Sequence, residues 1–194
     1  MKKRDFLTMA TLGGAGVSLS VQARAADTAS PTLLTVTGAI GKGNRGPIDP
    51  VLDQMLAKQK ISFDRAHAFD FGALMALPAV TIKPTLEYDN KVHTLKGPLL
   101  SDVLKAAGAA PADGVKLTLR AVDGYSPTIT VADARKYRFI VATHLDGKPM
   151  PLGGLGPLWA IYDADRFPDM AAKKVNERFA LCPWALYHID VLQA

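Results

Sequence analysis

Side chains able to do chemistry are few in this sequence and far apart. Cys182 is its single cysteine, which excludes an internal disulfide and any zinc or iron–sulfur site built on several thiolates. His93, His144 and His188 are dispersed, and none takes part in the His-x-x-x-His or Glu-x-x-His spacing of a metal-binding helix. We therefore predict no metal ligands, and we interpret Cys182 as a small, partly buried packing residue.

A turn between two expected strands carries the best candidates for ligand contact. Asp123, Gly124, Tyr125 and Ser126 follow an apolar β-type segment, and Asp-Gly is a common turn dipeptide. Gly124 would let a ligand approach the backbone closely, and the Tyr125 hydroxyl could donate or accept a hydrogen bond. From the local pattern alone, contact with a small ligand at this turn and a simple hairpin turn with a packed tyrosine are both open.

Two of the histidines receive different interpretations. His144 ends a nearly continuous apolar segment and has Asp146 and Lys148 beside it, so we predict a ligand contact there. His188 alternates with its neighbours in the last expected strand, which indicates a satisfied structural histidine. A glycine-rich loop at 41–47 lacks the spacing of a phosphate-binding loop and adds no ligand site.

Short strands and a few helices must position these residues. Pro98 opens the clearest helix, whose apolar residues share one face before Gly108 ends it, and Asp49 and Asp70 are the expected N-caps of two further helices. Tyr137 to Thr143 is apolar enough to predict a central strand. Because strands and helices do not alternate, we predict an α+β fold rather than a Rossmann-type sheet. The expected strands span 33–37, 61–63, 79–82, 91–95, 115–122, 127–131, 137–143, 157–162 and 185–191.

The N-terminal residues have the pattern of a cleavable signal peptide. A basic start precedes an uncharged apolar stretch at 6–21, and Ala23-Arg24-Ala25 supplies the small residues of a cleavage site. Residues 3–8 resemble the twin-arginine export motif with lysine in place of the first arginine, so Sec and Tat export are both open. We predict a periplasmic protein with a signal peptide at 1–25, a lead-in at 26–32 and one domain at 33–194.

Removal of the leader changes the charge balance. The formal net charge is +5, and the leader contributes four cations and one acid, so the mature chain carries about +2. A balance this close to neutral gives no reason to expect a nucleic-acid partner. We expect no membrane span after cleavage. The expected partners are therefore a small-molecule ligand or a periplasmic or membrane-bound protein.

Five motifs follow one another in a fixed order along the chain. They are LPAVTI at 77–82, LKGPLLSDVL at 95–104, VDGYS with ITV at 122–131, LDGKPM at 145–150 and GPLWAIY at 156–162. With the tryptophan and the isoleucine-containing strand at 184–191, this order resembles the oxidoreductase molybdopterin-binding domain family, which has the sulfite-oxidase fold, and in particular its small secreted members. The resemblance covers about residues 33–192. It implies a single domain with mixed β-sheets, a few short helices and a cofactor at the loop edge of a sheet.

Two segments depart from the catalytic members of that family. Those members ligate molybdenum through a cysteine thiolate, a soft donor, in the loop that here reads LEYDN at 86–90 without a cysteine. They also often carry His-Gly before the Pro-Leu pair and an arginine after it. Here the segment at 153–159 reads GGLGPLW, so Trp159 stands in place of the phosphate-binding arginine. The resemblance implies cofactor contacts at Gly154 and Gly156, with the loops at 86–90 and 153–156 forming one surface.

Two functions fit these observations. The first, which we favour, is a periplasmic binding domain without the thiolate molybdenum ligand. It would hold a small ligand, or a partner such as a membrane-bound sensor, at the loop edge of its sheet. The second is a molybdopterin-dependent oxidoreductase that coordinates its metal without the usual thiolate or recruits another subunit. Molybdopterin is a candidate cofactor on the second hypothesis, and no other cofactor is indicated.

Overall fold

Residues 30–192 are described by the computed structural model. The expected signal peptide at 1–25 lies outside the described residues, as does most of the lead-in. No helix within 30–192 combines the length and the apolar composition that crossing a membrane requires.

Short strands dominate the described part of the chain, and the helices between them have seven residues or fewer. The strands are β1 (Leu34–Gly38), β2 (His67–Phe69), β3 (Ala79–Ile82), β4 (Leu95–Pro98), β5 (Lys116–Ala121), β6 (Thr128–Thr130), β7 (Ile140–Ala142), β8 (His144–Leu145), β9 (Lys148–Pro149), β10 (Trp159–Ile161) and β11 (Leu186–Val191), and the helices are α1 (Gln54–Lys58), α2 (Phe71–Met75), α3 (Leu100–Ala106), α4 (Val131–Lys136) and α5 (Pro168–Ala171). This composition confirms the predicted α+β class.

Three sheets form within residues 30–192. The largest has the order β2-β1-β11-β5-β6, in which β1 and β11 run parallel and every other pair is antiparallel. A four-stranded sheet has the order β3-β4-β8-β9, and β7 pairs with β10 alone. The turn between β5 and β6 therefore lies at one edge of the largest sheet, where the sequence predicted a ligand contact.

One apolar core joins the three sheets. Leu34 and Val36 from β1, Leu95 from β4 and Trp159 from β10 belong to the same cluster, and each is at most 1% exposed. Burying a side chain of this size contributes about 1.5–3 kcal/mol, so these positions account for much of the stability. A smaller cluster of Leu56, Ile61, Phe63, Ala66 and Tyr187 packs the segment after β1 against β11.

The helix expected from Asp49 begins later than predicted. The Asp49 carboxylate does accept backbone hydrogen bonds, from the amides of Val51 at 2.8 Å and Leu52 at 3.1 Å, but it closes a turn, and α1 starts at Gln54. Val51 and Leu52 precede this helix and are 72% and 80% exposed. The strand expected at 61–63 is also absent, because this segment packs as irregular backbone.

Only Ile140–Ala142 of the segment expected to be a central strand, 137–143, forms a strand, and a helix comes directly before the segment. Helix α4 occupies 131–136, where Thr130 accepts a hydrogen bond from the Asp133 amide at 3.0 Å and thereby caps the helix. Arg138 then takes a left-handed φ of 53°, so β7 is limited to Ile140–Ala142 and pairs with one strand only. The prediction of burial was correct, because all three residues of β7 are buried, whereas the prediction of a central strand was wrong.

Candidate functional site

A cavity of about 200 Å³ opens where three loops meet beside β5. One loop precedes β4, the second is the turn between β5 and β6, and the third leads into β11. The side chains that give the cavity its chemistry are Glu87, Tyr88, Asp123, Tyr125, Cys182 and Trp184. Asp123 and Tyr125 were predicted ligand contacts, and Glu87 and Tyr88 lie in the loop where catalytic relatives carry cysteine.

The first of these loops is a hairpin that spans 84–93. The Leu86 amide donates to the Lys91 carbonyl at 2.9 Å, and the His93 amide donates to the Pro84 carbonyl at 3.1 Å. Leu86 is 2% exposed and packs in the main core, so it fixes the base of the turn. Residues 86–90, called the tip below, therefore hold Glu87 and Tyr88 at the mouth of the cavity.

The turn between β5 and β6 has the conformation that its sequence predicts. The Tyr125 amide donates to Asp123 Oδ1 at 2.9 Å, and Gly124 has a φ of 93°, which a residue with a side chain rarely adopts. The Tyr125 hydroxyl donates to the Ala180 carbonyl, so the tyrosine connects this turn to the loop before β11. Ser126 is exposed on the same turn.

Cys182 forms part of the cavity wall. Its thiol is buried, which raises the pKa of this group well above the ordinary value, with the nearby Glu87 carboxylate acting in the same direction. Its carbonyl accepts a hydrogen bond from Trp159 Nε1 at 3.0 Å. The residue therefore presents a neutral thiol, as expected for a packing residue, although no sequence pattern indicated that it would line the candidate site.

Aromatic rings and carboxylates dominate the lining of this cavity, and among residues 30–192 no lysine, arginine or histidine contributes to it. Burial raises the pKa of Tyr88, and the neighbouring Glu87 carboxylate raises it further, so the phenol stays protonated at neutral pH. Asp123 and Glu87 supply hydrogen-bond acceptors. The arrangement thus offers flat apolar surfaces together with acceptor oxygens.

A second, more apolar cavity of about 530 Å³ shares Trp184 with the first. Met55, Leu152 and Gly154 also line it. A Cβ on Gly154 would meet nothing closer than 3.7 Å, so the backbone here is open. Trp184 thus connects the cavity lined by the 86–90 loop with the cavity lined by Gly153 and Gly154. We call the two cavities together the loop-edge site.

Gly156 and His144 lie outside the loop-edge site. A Cβ on Gly156 would come within 2.4 Å of the Met150 carbonyl oxygen, so this glycine permits close backbone packing. The His144 ring lies beside Phe71, with 5.8 Å between centroids, and its Nδ1 is 2.9 Å from the Thr143 hydroxyl. Neither residue lines a cavity with Tyr125, so their roles in binding a ligand stay predictions.

His188 is buried in the last strand, as the sequence indicated, but only one of its ring nitrogens is satisfied. Its Nε2 lies 2.9 Å from the Thr37 hydroxyl, whereas its Nδ1 is buried without a hydrogen-bond partner among residues 30–192, and the residue is 1% exposed. Burial, and then the Arg120 cation on the neighbouring strand, lower the pKa of His188 to about 3, so this imidazole is neutral at physiological pH.

The largest cavity, of about 620 Å³, lies under the segment before α1. Its polar side chains already bind one another. Arg45 forms an ion pair with Asp53, and the Asn44 side chain bonds both backbone groups of Ala68, at 2.7 and 2.9 Å. Few of its polar groups are therefore left to recognise a ligand, which makes the loop-edge site the better candidate.

The residues of the loop-edge site do not fit a molybdenum–pterin cofactor. Among residues 30–192, no group of three or more histidine, cysteine, aspartate or glutamate side chains is placed to hold a metal ion. The one thiol is buried and neutral, and neither cavity presents a cationic side chain for a phosphate. Trp159, which stands where relatives carry arginine, is 1% exposed inside the core.

Comparison with known proteins supports the fold alone. No protein-family model matches this sequence, and no curated protein is similar enough to it to be counted as a relative. Among solved structures, the chain is similar to the sulfane dehydrogenase SoxCD from Paracoccus pantotrophus, with a TM-score of 0.53 and 12% sequence identity. The match covers 83% of this chain and 38% of that one. The sulfite-oxidase-type fold predicted from the ordered motifs is thereby confirmed.

Proposed function

We propose that this protein is an exported binding domain that uses the sulfite-oxidase-type fold to hold a small ligand without thiolate-bound molybdenum. The observation that carries the proposal is the composition of the loop-edge site. It combines Tyr88, Tyr125 and Trp184 with two carboxylates and contains no cationic side chain. Ligand sites of proteins commonly pair apolar and aromatic walls with a few polar groups that fix orientation.

The side chains of the site favour a particular ligand chemistry. Aromatic rings pack well against a planar ring system, and Asp123 and Glu87 accept hydrogen bonds from N–H groups. A phosphate or carboxylate ligand would be repelled, because the acidic side chains have no compensating cation in the lining. The expected ligand is therefore a planar heterocycle with N–H donors and no strong negative charge.

A metal-free pterin is the natural probe of this proposal, because its 2-amino-4-oxo ring presents adjacent N–H donors. Calorimetric titration of the mature chain with neopterin should give one site with a dissociation constant of about 1–100 µM, the range of a few good contacts. Lumazine has an oxo group in place of the 2-amino group and should bind at least about tenfold more weakly, since a carboxylate would lose its donor.

Asp123→Asn and Asp113→Asn form a matched pair for the same titration. Asp123 lines the cavity, whereas Asp113 is paired with Arg135 elsewhere on the surface. Asp123→Asn should weaken neopterin binding about tenfold, because a charged acceptor becomes a neutral one, and Asp113→Asn should leave it unchanged. Absence of neopterin binding to the unsubstituted chain would refute the pterin-like ligand class.

A partner protein forms a further part of the proposal. Leu152 and Met55 line the second cavity and are 70% and 43% exposed, which is unusual for large apolar side chains lying together. A periplasmic or membrane-bound partner could cover them next to the ligand. Leu152→Asp should then abolish co-purification with such a partner, and retention of the partner would argue against this contact.

One observation favours the alternative of a molybdopterin-dependent oxidoreductase. Cys182 is the only thiol in the sequence, and it lines the smaller cavity of the loop-edge site. Under the binding proposal, Cys182→Ser should change neopterin affinity by less than about twofold, because the thiol is neutral and buried. Under the alternative, the unsubstituted protein should retain molybdenum, and loss of the metal in Cys182→Ser would identify this thiol as a ligand.

A further inference from the structure

His93 contacts carboxylates at both of its ring nitrogens. Nδ1 lies 2.7 Å from Asp146 Oδ2, and Nε2 lies 3.0 Å from Asp89 Oδ2. Asp89 belongs to the tip that carries Glu87 and Tyr88, whereas Asp146 lies in the turn between β8 and β9. The imidazole therefore joins the tip of the hairpin between β3 and β4 to the β8–β9 turn of the same sheet.

Asp146 is the anchored end of this connection. Its Oδ1 accepts a hydrogen bond from the Thr94 amide at 2.9 Å, and its own amide donates to the Thr94 carbonyl at 2.8 Å. Asp89 is held from within the hairpin, where its Oδ1 accepts a hydrogen bond from the Lys91 amide at 3.0 Å. His93 supplies the link from this carboxylate to the anchor.

Both contacts of His93 require the protonated ring. An imidazolium donates from both nitrogens, whereas a neutral imidazole donates from one and turns a lone pair of the other toward a carboxylate. The bonds to Asp146 and, second, to Asp89 raise the pKa of His93 above its ordinary value of 6.5. Deprotonation must therefore weaken one of the two contacts.

The charged groups around this imidazole keep their charge while it titrates. Hydrogen bonds to His93 and to the Lys91 amide lower the pKa of Asp89, and bonds from the Thr94 amide and His93 lower that of Asp146. The Lys91 ammonium lies 3.9 Å from Asp89 Oδ2, farther away than His93 Nε2. His93 is thus the group in this cluster that changes state near neutral pH.

We propose that His93 is a positioning residue of the loop-edge site. When protonated it holds the tip, and with it Glu87 and Tyr88, in the ligand-binding arrangement, and its deprotonation releases the tip. Ligand affinity is then greatest at pH values below 6.5 and falls as the pH rises through the raised pKa of His93. The effect on affinity rests on the proposed function, whereas the coupling between His93 and the tip does not.

The coupling can be measured without a ligand. In a proton–nitrogen correlation NMR titration of the mature chain, the amides of Asp89 and Asn90 should shift with the same midpoint as the His93 ring. That midpoint should lie above 6.5. In His93→Gln the amide titration should disappear. His67→Gln is the matched control, because His67 stacks on Phe69 at 4.4 Å and has no carboxylate contact among the described residues.

The effect on the site is measured by titration with neopterin between pH 5.5 and 8, a range chosen to span the expected transition. The unsubstituted chain and His67→Gln should lose about fivefold in affinity, at the lower end of typical coupling between sites. His93→Gln should lose this pH dependence. Asp89→Asn should lose it too and serves as the second variant if His93→Gln does not fold.

The possible outcomes separate the two proposals. Tip amides that do not titrate with His93, or an equal pH dependence in His93→Gln and the unsubstituted chain, would overturn the positioning role. Coupled tip amides with no neopterin binding at any pH would instead refute the proposed ligand class and leave the coupling established. Tip amides that titrate with His93, together with a pH dependence of neopterin affinity that only the His93 and Asp89 variants lose, would support both the positioning role and the proposed function.

Discussion

Trp159 and Trp184 face each other across a single β-bridge, yet they belong to different environments. Trp159 is 1% exposed, packs in the main core and donates its indole N–H to the Cys182 carbonyl. Trp184 is partly exposed and lines both cavities of the loop-edge site. The boundary between packing and binding thus falls within one residue pair, so substitutions on its two sides should separate stability from affinity.

The largest effect is expected on the core side of the bridge. Trp159→Ala should lower the free energy of unfolding by about 3–5 kcal/mol, because a large buried ring is replaced by a cavity. Urea denaturation followed by circular dichroism measures this change. A loss below about 1 kcal/mol would show that the core tolerates the cavity and would contradict the assigned role.

Gly154 and Gly156, two positions apart, allow the same comparison between packing and binding to be made at the backbone. Gly156→Ala should lower the free energy of unfolding by about 1–3 kcal/mol, because the new Cβ overlaps the Met150 carbonyl. Gly154→Ala is the matched control, and we expect a change within about 0.5 kcal/mol because its surroundings are open. Equal losses in the two variants would contradict this distinction.

The binding side of the bridge should respond in the opposite way. Trp184→Ala should weaken neopterin binding by at least about tenfold, since the indole is a wall of both cavities. The free energy of unfolding should fall by only about 1–2 kcal/mol, because the ring is partly exposed already. Calorimetry and urea denaturation of the same preparation measure the two quantities. Unchanged affinity would remove Trp184 from the site.

The smallest effect is expected at Tyr125. Tyr125→Phe removes the hydroxyl that donates to the Ala180 carbonyl and should weaken neopterin binding about threefold, as expected for one neutral hydrogen bond. The ring stays in place, so the fold should be unaffected. If affinity does not change, the tyrosine returns to the alternative role of a packed turn residue.

The local parts of the fold were predictable from the sequence. Asp70 caps α2 as expected, by accepting a hydrogen bond from the Ala73 amide at 2.7 Å, and the Asp123-Gly124 turn joins β5 to β6. Helix α4 was missed because the apolar residues around it also fit a strand, although Thr130 and Asp133 have the spacing of an N-cap pair.

The composition of the loop-edge site was only partly predictable. The turn at Asp123 could be found from local patterns, but Cys182 and Trp184 reach it from a segment about sixty residues later that has no strand or helix periodicity. One signal for the His93 cluster was present, since Asp89 precedes His93 by four residues. Its second carboxylate, Asp146, is brought close only by the pairing of β4 with β8.

The molybdenum content of the mature protein, purified from the periplasm of a molybdenum-replete host, tests the central claim most directly. A binding domain without a thiolate ligand should contain molybdenum far below one atom per chain, with a cooperative unfolding transition that is the same after growth without molybdenum. One molybdenum atom per chain, whether or not Cys182→Ser loses it, would contradict the account and support a molybdenum enzyme.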